Sequence, residues 1–279
     1  MKHGFIKVAA ISPKIKVADP AYNAGVIVEK MKEAYEKGAK ILVFPELCIT
    51  GYTCGDLFLQ EILLEEAKRQ LSVIAEATQD MDALVMVGLP VEREGRLYNV
   101  AAVLHQGSVL GMVPKSNLPM YGEFYEGRHF TEGNAVPVSY DFEGEEIPFG
   151  RNLLFECTSM PGLVIGCELC EDLWVADPPS TTHALMGATV IANLSASNET
   201  IGKDEYRRML VKSTSGRLLC GYIYASAGEG ESTQDLVFGG HNLIAENSSL
   251  LGEAKRFYGE TVYGDLDIRR ILSERRRMG

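Results

Sequence analysis

The sequence predicts a layered α/β protein with mixed β-sheets, and two patterns support this. Short apolar, β-rich runs alternate with segments of helical periodicity, which is typical of strand-helix-strand crossovers. Other neighbouring β-rich runs are joined by tight turns, which predicts antiparallel hairpins. The 279 residues are 46% hydrophobic and 23% charged, enough to bury a large core. Because no stretch resembles a linker, we expect one domain over residues 1–279.

In the first half, the opening crossover sets the pattern. A strand is followed by a helix that begins after Asp19-Pro20, carries Ala24, Ile27 and Met31 on one face, and ends at Gly38. A second helix then leads to a strand and a hairpin turning at Gln106-Gly107. The predicted elements are Phe5–Ile11 (strand), the helix to Gly38, Ile41–Phe44 (strand), Asp56–Ile74 (helix), and the strands Ala83–Gly88, Tyr98–His105 and Ser108–Val113.

In the second half, a long irregular stretch over Lys115–Asn134 comes first, and loops of this length in compact domains are often functional. The acidic loop Glu143–Glu146 is expected to be solvated. A helix is predicted with Tyr206, Met209, Leu210 and Ser213 on one face. The predicted strands are Val136–Tyr140, Asn152–Glu156, Leu163–Leu169, Thr189–Ala192, Gly221–Ala227 and short strands within Asp235–Asp265, with a further helix at Ser180–Met186.

Charge and composition exclude several classes of partner. The net charge of −11 argues against nucleic acid or an anionic membrane as a partner, and the arginine-rich C-terminus is interpreted as a solvated helix or a surface against another domain. The six cysteines are expected to be reduced thiols. The N-terminus enters a strand pattern without a signal-type core, and no run is long enough to span a bilayer. We therefore expect a cytoplasmic protein.

Three chemically useful side chains follow three predicted strands: Glu46, Lys115 and Cys170. A cysteine at the end of a buried strand is expected to be exposed on a fixed backbone, where a nucleophile is useful. Its thiol requires a base or a neighbouring cation, which a carboxylate and an ammonium could supply. Attack on an amide or nitrile would then give a thioester-type intermediate, with Lys115 and the Glu171 N–H stabilising the oxyanion.

Two other interpretations use the same cysteine. Cys167 and Cys170 have the spacing of a redox pair or a zinc half-site, although no second pair accompanies them and Cys167 should face the other side of the strand. A Cys-His pair with His129, His183 or His241 is possible in principle, because histidine commonly activates cysteine. None of these histidines follows a strand in the same way, so structural roles are favoured for them.

The segments Phe44-Pro45-Glu46, Pro114-Lys115 and Cys170-Glu171-Asp172 resemble the Glu-Lys-Cys triad of the nitrilase superfamily of carbon-nitrogen hydrolases. The resemblance covers essentially the whole chain. It is most specific to the glutaminase domain of glutamine-dependent NAD synthetases, through five separated segments: Glu46–Tyr52, Tyr121–Glu126, Glu171–Trp174, Ser195–Asn198, and Gly230–Thr233 with Asp235–Phe238.

The resemblance implies a four-layer α-β-β-α sandwich, the nitrilase fold, with two mixed β-sheets. It implies glutamine amide hydrolysis without a cofactor or metal, in which Cys170 attacks, Glu46 is base and then acid, and Lys115 holds the oxyanion. By the family pattern, Glu126 is a supporting carboxylate. The residues expected to bind the glutamine α-amino and α-carboxylate groups are Tyr121, Glu171, Ser197 and Lys203.

The resemblance also implies partners. Glutamine-dependent NAD synthetases continue into an ATP-using domain with a Ser-Gly-Gly-x-x-Asp-Ser loop, which this chain lacks. Ammonia would therefore pass to a synthetase domain or subunit, whether the chain is a domain cut from a longer protein, as the basic end at Met278-Gly279 favours, or a free-standing homologue. A homo-oligomer is expected. The alternatives are a hydrolase acting on another small amide, a carbamoyl amine or a nitrile, and a catalytically silent regulatory or binding module.

Overall fold

The computed structural model describes residues 3–278, so Gly279 of the predicted chain end lies outside the described residues. In this range the strands alternate with helices much as predicted. The strands are β1 (Phe5–Ala10), β2 (Ile41–Val43), β3 (Leu84–Arg93), β4 (Arg96–His105), β5 (Ser108–Pro114), β6 (Val138–Phe142), β7 (Glu145–Phe149), β8 (Leu154–Glu156), β9 (Val164–Leu169), β10 (Val190–Ser195), β11 (Gly221–Ser226), β12 (Leu243–Glu246), β13 (Ser249–Glu253) and β14 (Val262–Asp267).

The helices are α1 (Pro20–Glu36), α2 (Glu61–Glu76), α3 (Pro179–Leu185), α4 (Lys203–Arg217) and α5 (Ile268–Met278). At the start of α1, the Asp19 side chain accepts a hydrogen bond from the Tyr22 N–H, which satisfies a free donor of the first turn. Among residues 3–278, no helix combines the length and the hydrophobicity that a transmembrane span requires.

The strands form two mixed sheets. The first has eight strands in the order β14-β1-β2-β3-β4-β5-β7-β6, with parallel pairing among β1, β2 and β3 and between β5 and β7. The second has six strands in the order β13-β12-β11-β10-β9-β8, with β9, β10 and β11 parallel. The remaining pairs are antiparallel, including the predicted hairpin of β4 and β5.

The two sheets pack face to face, and helices cover their outer faces. Alternate residues of β1 divide between two cores: Val8 joins the core between the sheets, whereas Ala9 joins the core beneath α1 and α2. On the far side, Val211 of α4 packs on the outer face of the second sheet together with Tyr222. This arrangement confirms the predicted four-layer α-β-β-α sandwich.

The structure corrects two local predictions and adds detail to a third. The helix expected from Asp56 begins at Glu61, because Gln60 is extended, with φ of −90° and ψ of +118°, and separates α2 from the preceding 3-10 segment over Tyr52–Leu59. Residues Glu143–Glu146 are exposed, as predicted, and they form the turn of a hairpin and the start of β7. Finally, the predicted face of α4 is mainly on the outside, and its buried residues are Arg207, Val211, Thr214 and Ser215.

The topology brings several strand ends together. Because β2, β3 and β5 run in one direction, their carboxyl ends share one edge of the first sheet, and those of β9, β10 and β11 share one edge of the second. A hydrogen bond from the Glu46 N–H to the Ser195 carbonyl, 3.3 Å long, joins the two edges. The residues that follow these strands therefore meet between the sheets.

Candidate active site

The ends of β2 and β5 bring Glu46 and Lys115 into direct contact. The Lys115 Nζ lies 2.6 Å from Glu46 Oε1 and 2.7 Å from Glu126 Oε1, and the side chains of Lys115 and Glu46 are completely buried. Although burial opposes the charge, the carboxylates of Glu126 and Glu46 raise the pKa of Lys115 well above its ordinary value. The ammonium is therefore charged at neutral pH and available to a developing negative charge.

Both sheets hold the Glu46 carboxylate. Its Oε1 accepts a hydrogen bond of 2.7 Å from the Asn99 side chain on β4, and its Oε2 accepts one of 3.0 Å from the Ala196 N–H just past β10. The next residue, Leu47, has a φ of +51°, a conformation that costs a non-glycine residue about 1 kcal/mol or more. This fixed turn aims the carboxylate between the sheets.

Cys170 lies directly after β9, at the first position of the 3-10 turn Cys170–Leu173. Its φ of +40° marks an abrupt change of chain direction. The prediction of an exposed thiol is wrong, because the residue is only 8% exposed. Burial and the Glu46 carboxylate raise the pKa of Cys170 to about 12, and the Lys115 ammonium opposes this shift. The resting site therefore holds a neutral thiol, which needs a base to become a nucleophile.

Glu126 is the second carboxylate in contact with Lys115. The structure places it in a short 3-10 turn of the irregular stretch, where its Oε1 also accepts a 2.8 Å hydrogen bond from the Tyr52 hydroxyl. Burial raises the pKa of Glu126 to about 7, with the Lys115 ammonium opposing and the Glu46 carboxylate adding to the shift. Its Oε2 is buried and has no partner among the described residues.

Asp172 ties the Cys170 turn to the loop that follows Lys115, a role that our interpretation of the sequence missed. One carboxylate oxygen accepts from the Leu169 N–H at 3.0 Å, and the other accepts from the backbone and side-chain N–H groups of Asn117, both at 2.8 Å. The motif Cys170-Glu171-Asp172 contains the residue but gives no indication of this bridge. The bridge fixes the end of β9 relative to the end of β5.

Two of the predicted substrate-binding residues pair with each other at the rim. The Tyr121 hydroxyl lies 2.9 Å from one oxygen of Glu171 and 3.0 Å from the other. Tyr121 is 57% exposed and Glu171 is half-buried. This partial burial raises the pKa of the Glu171 carboxyl above its ordinary value. A substrate amine could replace the tyrosine hydroxyl at this carboxylate.

The other two predicted substrate-binding residues, Ser197 and Lys203, lie next to Asn198. Lys203 Nζ donates to Asn198 Oδ1 and lies 5.0 Å from the ring centre of Trp174, close enough for a cation-π contact. Burial lowers the pKa of Lys203. The Ser197 hydroxyl accepts a 3.1 Å hydrogen bond from Arg207, a buried residue that our sequence interpretation did not include.

The competing interpretations lead to other parts of the molecule. Cys167 is buried between the sheets with its sulfur 3.5 Å from that of Met86, and all six cysteines are free. The ring nitrogens of His129 and His183 contact Asp56 and the Arg151 carbonyl, respectively, and those of His241 contact Arg207 and Glu253. Within residues 3–278, no three His, Cys, Asp or Glu side chains form a group that could hold a metal ion.

This arrangement can carry out acyl transfer at a carbonyl. A carboxylate with a fixed orientation can accept the proton of a buried thiol, and a buried ammonium can stabilise an oxyanion in surroundings from which water is excluded. The charged C-terminal helix α5 is not part of this site. Its Arg275 donates to the carbonyls of Ala188 and Leu219, at 2.6 and 2.9 Å, so this arginine is engaged within the fold.

Comparison with known proteins agrees with these observations. The family model described as carbon-nitrogen hydrolase matches residues 7–276. A glutamine-dependent NAD(+) synthetase of Mycobacterium tuberculosis strain H37Rv is 43% identical over 280 residues, which cover 100% of this chain and 41% of the relative. Its counterpart in Aquifex aeolicus is 32% identical over 256 residues, covering 90% of this chain and 41% of the relative. The chain thus spans about two fifths of the length of these curated relatives.

Solved structures agree on the fold. The crystal structure of a glutamine-dependent NAD(+) synthetase from Cytophaga hutchinsonii superposes with a TM-score of 0.84 at 31% identity, covering 94% of this chain and 43% of that one. An amidase from Nesterenkonia, at 20% identity, covers 100% of this chain and 96% of its own with a TM-score of 0.75, a likeness of fold alone. From the family match and these relatives, the chain belongs to the carbon-nitrogen hydrolase family.

Proposed function

We propose that this chain is the glutamine-hydrolysing domain of a glutamine-dependent NAD synthetase system, and that it releases ammonia for a synthetase domain or subunit. The observation that carries the proposal is the buried contact between Lys115 and Glu46 beside the Cys170 thiol. The names of relatives at 43% and 32% identity favour glutamine over other amides. The proposal includes a single domain over residues 1–279, a cytoplasmic location, a homo-oligomer and no resident cofactor.

The proposed reaction begins at the thiol. Glu46 accepts the Cys170 proton as the sulfur forms a bond to the side-chain amide carbon of glutamine. The Lys115 ammonium and the Glu171 N–H stabilise the resulting oxyanion. Glu46 then returns the proton to the nitrogen, the carbon-nitrogen bond breaks, and ammonia leaves behind a thioester. Glu46 next accepts a proton from water, which attacks the thioester and releases glutamate and the thiol.

In this proposal the rim residues select the substrate. Glu171, with Tyr121 beside it, would accept hydrogen bonds from the α-ammonium group, and Ser197 and Lys203 would bind the α-carboxylate. Glu126 would keep Lys115 in place through the 2.7 Å contact to its ammonium. The Glu171 carboxylate and the Lys203 ammonium have opposite charges, which complement the α-ammonium and α-carboxylate groups of an α-amino acid.

Ammonia release, measured with the synthetase partner present, tests the substrate. We expect release from glutamine and little from acetamide, a carbamoyl amine or a short nitrile. No hydrolysis of glutamine with the partner present would overturn the proposal, and preferential hydrolysis of another compound would replace glutamine as the substrate.

Mass spectrometry after exposure to a glutamine-like electrophile tests the chemistry. We expect one adduct at Cys170, absent in Cys170→Ala, diminished in Glu46→Gln and retained in Cys157→Ala, which removes a thiol with a 3.3 Å contact to Ser159. If Cys170 is not labelled in the wild-type chain, a silent binding module becomes the better description.

A further inference from the structure

Arg207 is the largest fully buried side chain of the described residues. It contacts Ser197, one of the proposed substrate-binding residues. It lies on α4, one turn after Lys203. A buried guanidinium is costly unless its donors are satisfied, so the groups that it contacts indicate what it holds. Both Nη atoms of Arg207 donate hydrogen bonds, whereas its Nε has no partner among the described residues.

Three consecutive residues after β10, Ser197, Asn198 and Glu199, accept hydrogen bonds from the Arg207 guanidinium. Nη2 donates to the Ser197 hydroxyl at 3.1 Å and to the Asn198 carbonyl at 2.9 Å. Nη1 donates to Glu199 Oε1 at 2.9 Å. The backbone just before this segment contacts Glu46 on both sides, through the Ser195 carbonyl and the Ala196 N–H. One side chain thus holds the segment that directly follows the hydrogen-bond donor to the Glu46 carboxylate.

The hydrogen bond to Ser197 has a chemical consequence. A guanidinium has donors and no acceptor, so the Ser197 oxygen must accept from it. The hydroxyl hydrogen of Ser197 is then left to donate to another group. A serine fixed in this way is suited to a carboxylate oxygen of the substrate.

His241 completes the support from the opposite side. Its Nδ1 lies 2.8 Å from Arg207 Nη1 and its Nε2 lies 2.7 Å from Glu253 Oε1. Because the arginine can only donate, Nδ1 is the acceptor and Nε2 carries the hydrogen. The chain from Glu253 through His241 and Arg207 to Ser197 links strand β13 to the substrate side.

We propose that Arg207 is a positioning residue for the substrate: its guanidinium holds Ser197, Asn198 and Glu199 in place and fixes the Ser197 hydroxyl as a donor to a carboxylate of the substrate. This inference rests on the proposed glutamine hydrolysis. It adds a residue that does not itself touch the substrate and that acts mainly on binding.

Kinetics of Arg207→Gln and Arg207→Lys, with Arg217→Gln as the matched control, test the inference. Arg217 lies on the exposed side of the same helix. For Arg207→Gln we expect the KM for glutamine to rise by about tenfold or more and kcat to fall less, with Arg207→Lys intermediate because an ammonium cannot span both sides of the segment. The control should keep both constants. An unchanged KM in the folded fraction of both Arg207 variants would overturn the inference.

Hydrogen exchange of the wild type and the same variants gives a readout that does not depend on glutamine. We expect faster exchange of the amides of residues 196–199 in Arg207→Gln and Arg207→Lys, and no change in Arg217→Gln. If glutamine is not a substrate but this segment still loosens, the proposed function fails while the support by Arg207 stands. Unchanged exchange in residues 196–199 would overturn that support, whatever the substrate is.

Discussion

Lys115 Nζ and Glu46 Oε1 lie 2.6 Å apart, and neither side chain is exposed to solvent. Glu126 Oε1 lies 2.7 Å from the same Lys115 Nζ, so two buried carboxylates share one buried cation. Such a group is strongly coupled, because removing or neutralising one member changes the electrostatic environment of the other two. The Cys170 thiol lies in the field of all three charges. Three predictions follow from this group, and a fourth concerns the turn that carries Glu46.

Glu46→Gln should reduce amide hydrolysis by about 10²- to 10⁴-fold, because the thiol loses its base. Burial and the Glu46 carboxylate both raise the pKa of Cys170, so this variant should also shift alkylation of Cys170 by iodoacetamide to lower pH. Steady-state ammonia release and the pH dependence of alkylation measure the two effects. Glu65→Gln, an exposed change on α2, should leave both unchanged. Hydrolysis within about threefold of wild type would contradict the role of Glu46 as base.

Lys115→Met should lower the free energy of unfolding by about 3–5 kcal/mol, because it leaves two buried carboxylates without their cation. Urea denaturation measures the change. Lys255→Met removes an exposed lysine and serves as the control, with an expected change within about 0.5 kcal/mol. Equal stability of the two variants would show that Glu46 and Glu126 are not held as a charged group.

Glu126→Gln should change how stability depends on pH. Burial raises the folded-state pKa of Glu126 from its ordinary 4.5 to about 7, so the native state binds this proton more tightly than the unfolded chain. The resulting stabilisation is complete below the unfolded-state pKa and is lost as the pH rises through the folded-state value. Between about pH 5 and pH 8, the wild type should therefore lose stability relative to Glu126→Gln, whose amide does not titrate. Urea titrations across this range measure the difference, and parallel curves would contradict it.

Gly88→Ala should displace the turn that carries Glu46. A Cβ at Gly88 would lie 2.2 Å from the Leu47 nitrogen and 2.7 Å from the Pro45 carbonyl oxygen, which are backbone atoms that cannot rotate away. We expect a loss of about 1–3 kcal/mol in the free energy of unfolding, with a larger relative loss of hydrolysis. Thermal unfolding and ammonia release measure the two effects.

Gly25→Ala is the matched control for this substitution. Gly25 lies inside α1, and nothing lies within 4 Å of its added Cβ. Alanine there should stabilise the protein by about 0.5–1 kcal/mol through its helix propensity. A Gly88→Ala variant that behaves like Gly25→Ala would show that the Glu46 turn can relax.

The sequence predicted the elements whose pattern is local. The apolar, β-rich run of β1 and the apolar face of α1 are local patterns, so they could be recognised without tertiary information. The start of α2 could not, because Gln60 adopts an extended backbone that a glutamine permits without requiring. The face of α4 was also misjudged, since an arginine is rarely fully buried and Arg207 did not count as a core residue.

The sequence by itself determined which reactive groups follow strands: Glu46, Lys115 and Cys170 occupy strand ends because apolar runs before them form buried strands. Only the tertiary structure decided how these groups act on one another. The 2.6 Å contact, the burial of the thiol and the contacts of Arg207 with three residues after β10 join positions far apart in the chain. Local periodicity contains no information about such contacts, because they depend on which strand ends the packing of two sheets brings together.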